Sequence, residues 1–203
     1  MATSKGERRR RELVTAAAAL LRAGGFDAVR HRAVAERAGL PLASTTYYFS
    51  SLDDLIANAV EHSGAREAEQ LRSRVATLSR RRRGAESTAD VLVDLLVGEA
   101  NGLRVSEQLI SRYERYIACA RQPGLRDIAR RTLQQRTEAV VEVVERSGRS
   151  VRSELLTALV CAVDGAVVAA LVGDGDGPRA TARATLIDVI DVLAPIDERV
   201  VPV

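Results

Sequence analysis

The chain has 203 residues, 46% hydrophobic and 28% charged, enough for one or two domains with a substantial core and the wrong composition for a disordered chain. Thirty basic and 27 acidic side chains give a net charge of +3, but residues 1–83 carry 16 and 9 (+7) and residues 84–203 carry 14 and 18 (−4), so an anionic partner suits only the first part. Two isolated cysteines, Cys119 and Cys161, exclude a disulfide-built secreted scaffold and read as free buried thiols.

Helical periodicity runs through almost every segment and two-residue alternation through almost none, so an all-α fold of about nine helices is predicted. Leu13, Ala16, Ala17, Leu20 and Leu21 share the apolar face of a helix over about 7–23, stopped by Gly24-Gly25. A short helix over about 32–38 ends at Gly39, and Pro41 opens the next segment. Ser50-Ser51 breaks that segment, and Asp53-Asp54 suit the N-terminus of a long helix from Leu52 to Leu78. Arg80 to Arg83 with Gly84 read as its solvated end, or as an anion contact. Ser87 is a plausible cap for a helix bearing Val91, Leu92, Leu95 and Leu96. Leu109, Tyr113, Tyr116, Ile117 and Ala120 mark another, with Pro123-Gly124 as its stop. Leu125 to Val144 follows, closed by Gly148. Val151 to Val172 is apolar around most of its circumference, and a last helix carries Leu186, Val189, Ile190 and Leu193.

Two segments imitate other things. The basic run Lys5–Arg11 before Leu13–Leu21 resembles a signal peptide, but Glu12 interrupts it and Arg22 ends it. Leu155 to Gly173 is nearly long enough to span a bilayer; Asp164 at its centre and the lack of an aromatic belt make it a helix buried in protein. A cytoplasmic chain with no membrane contact is the expectation. No nucleophile elbow, phosphate loop, dinucleotide fingerprint or zinc motif is present, so no enzyme and no cofactor is expected. Gly173-Asp174-Gly175-Asp176-Gly177 lacks the further carboxylates of a calcium loop and reads as a connector. His31 and His62 have no cysteine nearby and make no metal site.

The densest pattern lies between Arg30 and Phe49. Ala35-x-x-x-Gly39 has the spacing of a helix-turn-helix, with a small residue where helices cross and a glycine for the turn. Beyond it, Ala43-Ser44-Thr45-Thr46-Tyr47-Tyr48-Phe49 puts hydroxyls and phenols on a short helix. Hydroxyls bond phosphates or base edges, and a phenol offers an apolar ring with a polar tip. Half of the six aromatics fall here, and Phe49 is expected to be the core anchor. Arg8 to Arg11 reads either as a basic arm on DNA or as a solvated helix start.

Residues from about 7 to 61 resemble the N-terminal domain of the tetracycline-repressor (TetR) family of bacterial regulators. The likeness is carried by Gly25-Phe26, Ala33-Val34-Ala35, Ala38-Gly39 and the Tyr47-Tyr48-Phe49 ending before a charged helix. The resemblance implies a helix-turn-helix DNA-binding domain over 1–51, a three-helix bundle, joined to a larger helical ligand-sensing and dimerisation domain over 52–203. It implies a homodimer on a near-palindromic double-stranded DNA operator, and repression relieved by an unidentified small molecule. By position, Ser44, Thr45, Thr46 and Tyr47 would face the groove, Tyr48 would reach a phosphate, and Arg30, His31 and Arg32 would hold backbone phosphates at a helix entry. Thr46 stands where the family usually has Tyr, Leu52 where Lys is common and Arg30 where Thr is frequent, so the operator cannot be inferred.

Dimerisation is expected through the helices 151–172 and 179–194, with Leu159 and Val163 in the interface. Leu95, Leu109, Tyr113, Tyr116 and Cys119, with Glu114, are the candidate ligand-binding residues, an apolar set with a few polar tips that reads equally as plain core. The competing reading of the whole chain is a helical protein–protein module without specific DNA binding.

Overall fold

The structure, a computed structural model, describes residues 4–98 and 103–198. Among the described residues there are nine α-helices, one 3-10 turn at Phe26–Ala28 and no strand beyond an isolated bridge between Arg149 and Ile196. The helices are α1 (Ser4–Gly24), α2 (His31–Ala38), α3 (Leu42–Tyr48), α4 (Leu52–Thr77), α5 (Ala85–Leu96), α6 (Leu103–Arg121), α7 (Pro123–Arg146), α8 (Ser153–Val172) and α9 (Gly177–Leu193).

Arg8 to Arg11 lie exposed inside α1, which is the helix-start alternative, and two other local readings of the sequence are corrected. Pro123 opens α7 where it was read as a stop; a proline at the first position loses no intrahelical bond, because that N–H has no partner there anyway. Gly84, not Ser87, precedes α5, and the Thr88 hydroxyl donates back to the Gly84 carbonyl at 2.9 Å.

The chain divides into two compact units, the first from Met1–Glu67 and Ile110–Thr132, the second from Ala68–Leu109 and Leu133–Val203. The division at 51/52 read from the sequence falls within the first unit, where α4 begins. Leu13, Ala17, Leu21, Val29, Val34, Phe49, Leu55 and Ala59 form the first unit's core, joined by Cys119 and Leu125. Many of its members are alanines, so the helices lie close and Phe49 is the one aromatic fully enclosed there. Gly64 serves the same closeness: a Cβ there would run into the Thr132 hydroxyl of α7.

In the second unit α8 packs along α9, and α9 against α5. Leu159, Val163 and Val167 of α8 and Ala182, Leu186 and Ile190 of α9 are buried inside the protomer. Leu159 and Val163 therefore belong to this core and not to an intersubunit contact as expected. The charge at the middle of α8 is held by a planar fork: Arg136, 2% exposed, donates to both carboxylate oxygens of Asp164 at 2.8 and 2.7 Å. By length and composition α8 alone, with a mean hydropathy of 2.4, could cross a membrane among the described residues, yet this ion pair and its packed side tie it to the protein.

Of the arginine run 80–83, Arg80, Arg81 and Arg82 are exposed as a solvated helix end would be, and Arg83 departs from that reading. Helix α4 stops at Thr77, and Arg83 is buried, donating to the carbonyls of Ser79 and Arg146 at 3.0 Å each. Burial, and then the neighbouring Arg81 charge, pull its pKa below the ordinary value. It caps the end of α7 instead of facing solvent.

Candidate nucleic-acid interface

The turn between α2 and α3 is set by Gly39. Its φ of 64° and ψ of 30° are left-handed, which glycine adopts without the penalty a Cβ would bring. The turn closes as the Leu40 N–H donates to the Ala35 carbonyl at 3.0 Å and the Gly39 N–H to Glu36 at 3.2 Å. Val34 and Ala35 turn α2's apolar side inward.

Helix α3 has seven residues, and its faces separate cleanly. Thr45 is fully buried and its hydroxyl donates to the Leu42 carbonyl at 2.8 Å. This corrects its assignment to the groove: a side chain enclosed by its own bundle cannot reach a base. Phe49 is buried as expected, its N–H donating to the Thr45 carbonyl at 3.0 Å. Ser44 and Tyr48 are half-buried. The outward face is Leu42, Ala43, Thr46 and Tyr47, the i, i+1, i+4, i+5 set of one helix side. Tyr47 is 80% exposed, its ring set edge-on to that of Tyr48 with centroids 4.9 Å apart. The Thr46 hydroxyl donates to the Ala43 carbonyl at 3.2 Å and keeps its oxygen as an outward acceptor. Leu42 and Ala43 escaped the sequence reading. Counting four residues back from Thr46 and Tyr47 finds them, and both offer apolar contact of the kind a thymine methyl accepts.

Helix α2 begins without a side-chain cap, so its first N–H groups and dipole stand open to an anion. Arg30 there is folded back onto Asp27 at 3.4 Å, and Arg32 onto Glu36 at 3.3 Å. Both pairs are exposed, and contacts of that kind contribute about 0–1 kcal/mol, so a phosphate competes for either arginine at little cost. His31 is half-buried, with Nδ1 enclosed and no hydrogen-bond partner among the described residues. In the same unit Lys5, Arg9, Arg11 and Arg37 are exposed cations, Arg11 and Arg37 lining one depression.

Leu109, Tyr113 and Tyr116 lie on α6 at i, i+4 and i+7. Leu95 and Leu109 are buried in the second unit, whereas Tyr113, Tyr116 and Cys119 belong to the first. The two phenol rings are half-buried and edge-on, 6.4 Å apart, with the Arg115 guanidinium 5.7 Å from the Tyr116 ring. Cys119 is 1% exposed among the first unit's core residues, and burial pushes its thiol pKa up, partly offset by the Arg115 charge. Glu114 lines a shallow depression of about 380 Å3 with Phe26 and Ile117. The second unit holds a groove of about 230 Å3 between α4 and α7, lined by Ala68, Arg72, Val75, Glu138 and Ala139, none of them singled out by the sequence. Among the described residues no cluster of His, Cys, Asp and Glu could hold a metal ion.

Comparison with known proteins bears on the fold and on this face together. Residues 13–59 match the family model described as bacterial regulatory proteins, tetR family, and residues 83–192 match the tetracyclin repressor-like C-terminal domain. Similar solved structures include the multidrug binding protein EbrR complexed with proflavin, 27% identical over 90% of this chain and 99% of that one, with a TM-score of 0.67. A TetR-family member from Streptomyces coelicolor A3, SCO1917, is 26% identical over 89% of this chain and 97% of that one, TM-score 0.60. A Saccharomonospora viridis protein in complex with choline shares the fold at 19% identity over 93% and 98%, TM-score 0.70. A search of the curated proteins found no match.

Proposed function

The chain belongs to the tetracycline-repressor family of transcription regulators, and on that premise we propose that it is a cytoplasmic homodimer that represses from a near-palindromic operator and is released by a small molecule. The observation that carries the DNA half is the outward face of α3. A phenol 80% exposed on a short helix, held edge-on by Tyr48 and set beside a hydroxyl acceptor and the apolar Leu42 and Ala43, stands clear of the core of its own protomer. It has the shape and the donor–acceptor content of a major-groove reader. In this reading Thr46 and Tyr47, with Leu42, Ala43 and Ser44, meet base edges. Tyr48, Arg30, His31, Arg32 and the open start of α2 hold phosphates, which position without specifying.

The dimer half rests on α8 and α9. Opposite its buried side, α8 exposes Ala158, Cys161, Gly165, Val168 and Val172 at alternating spacings of three and four, a helix-pairing seam made of small residues. A Cβ at Gly165 would meet nothing within 4 Å, leaving room for another helix. Ala180, Ala184 and Val192 of α9 are exposed too. An identical copy covers such a face by two-fold symmetry.

For the sensor, EbrR supplies the first probes, since its structures hold proflavin, ethidium and malachite green. A ligand acts here by favouring an arrangement in which two α3 helices no longer match grooves about 34–36 Å apart. It acts as a regulator and not as an enzyme. The test is selection of random-sequence duplex DNA on the full-length protein. Recovery of two inverted half-sites, centred one helical turn apart or a multiple of it, is the expected result. Recovery of no common sequence overturns the reading in favour of a protein–protein module.

A further inference from the structure

The four consecutive arginines of α1 are all exposed; Arg8 pairs with Glu12 one turn on, and Arg10 hydrogen-bonds to a side chain of another helix. The Arg10 Nη2 donates to Asn58 Oδ1 of α4 at 2.6 Å, and its guanidinium lies 5.2 Å from the centroid of the Phe49 ring. The contact does not end at Asn58. Its Nδ2 donates to the Asp54 carboxylate at 3.0 Å and to the Asp54 carbonyl at 2.8 Å. The other carboxylate oxygen of Asp54 accepts from the Ser50 N–H at 3.0 Å and from the Ser50 hydroxyl at 3.1 Å, while the Asp54 N–H donates to Ser51 Oγ at 3.0 Å. One continuous set of hydrogen bonds thus runs from α1 through α4 into the elbow where α3 ends.

We propose that Arg10 is a positioning residue for the recognition helix, clamping the elbow after Tyr47 and Tyr48 from behind without itself touching DNA. The inference rests on the DNA-binding reading above and adds to it. Helix α3 is only seven residues long, and its C-terminal end is fixed by Phe49 and this elbow. A planar guanidinium serves both contacts at once, lying over the ring and donating to the amide oxygen. A lysine keeps the charge and loses the geometry. The Asp54 carboxylate accepts from Ser50 and Asn58, so the network transmits position from α1 to the elbow.

The test uses the full-length protein and a duplex recovered by selection, with Arg10→Lys, Asn58→Ala and the double variant. Affinity is measured across a salt series, beside a duplex of unrelated sequence. Each single variant is expected to weaken binding to the selected duplex about tenfold, the worth of one charge-assisted hydrogen bond. The double variant should be no weaker than either single one, because both remove the same link. The slope of affinity against salt, and binding to the unrelated duplex, should not move. Arg10→Lys binding like the parent, while Arg10→Met flattens the salt slope by about one phosphate, would make Arg10 a phosphate contact and overturn the proposal. Additive losses in the double variant would overturn it too. If Arg10→Lys does not fold, Asn58→Ala, which removes no charge, carries the same comparison. A parent protein that does not distinguish the two duplexes removes the DNA-binding reading itself, and this inference with it.

Discussion

Helices α3 and α8 each leave side chains that their own protomer does not use, and what they leave out is opposite in kind. Helix α3 turns Phe49 and Thr45 inward and shows a phenol, a hydroxyl acceptor and small apolar groups. Helix α8 turns Leu159, Val163 and Val167 inward and shows Ala158, Cys161, Gly165, Val168 and Val172, with no charge along that seam. An amphipathic remainder set among cations suits the edges and phosphates of a duplex, whereas a dry seam of small residues suits a second helix. The position of each residue around its helix, more than its type, separates the groups that hold the protomer together from those left for a partner.

The largest effect should come from breaking α8 on its inner side. Asp164→Ala leaves the Arg136 guanidinium buried without its carboxylate and should lower unfolding stability by about 3–5 kcal/mol, read by urea denaturation. The outer side of the same helix should behave differently. Val168→Asp puts a charge on the seam and should weaken self-association by about 2 kcal/mol or more, seen by sedimentation, with the protomer's own fold intact. A dimer that survives moves the interface off α8. On α3, Tyr47→Ala should cost about 1–3 kcal/mol of operator affinity and leave the melting temperature unchanged. Its neighbour two positions back should show the reverse. Thr45→Val keeps volume and loses a buried hydroxyl's bond, costing about 1 kcal/mol of stability with no change in base preference. The smallest effect concerns Cys119. Its folded pKa is raised, so its contribution is complete below the thiol's ordinary pKa and declines as pH rises through that value toward the folded one. Denaturation midpoints should fall faster above that pH in the parent than in Cys119→Ala.

Much of this was legible beforehand. Helix positions followed from the spacing of Leu, Val and Ala, the turn from Gly39, and the core role of Phe49 from the scarcity of aromatics. On α8 an all-apolar sequence gives no contrast between the sides of the helix, so Leu159 and Val163 read as interface residues although they are core. Thr45 misled for a related reason: its hydroxyl is satisfied by its own helix, so a polar residue type hid a buried position. Arg136 and Asp164 lie 28 residues apart and Arg10 and Asn58 lie 48 apart, and no local pattern announces pairs at such separations. Tyr113 and Tyr116 share a helix face with Leu109 on α6, and an apolar face with phenol tips has the same pattern whether it lines a cavity or packs as core.

The central claim is that the outward face of α3 reads duplex DNA, and a salt titration of binding to the selected operator by the parent and Tyr47→Ala proteins tests it most directly. The account predicts a steep fall of affinity with salt in both proteins, parallel lines, and a loss of discrimination between operator and unrelated DNA in the variant alone. Affinity insensitive to salt, or a variant that discriminates as well as the parent, would contradict it.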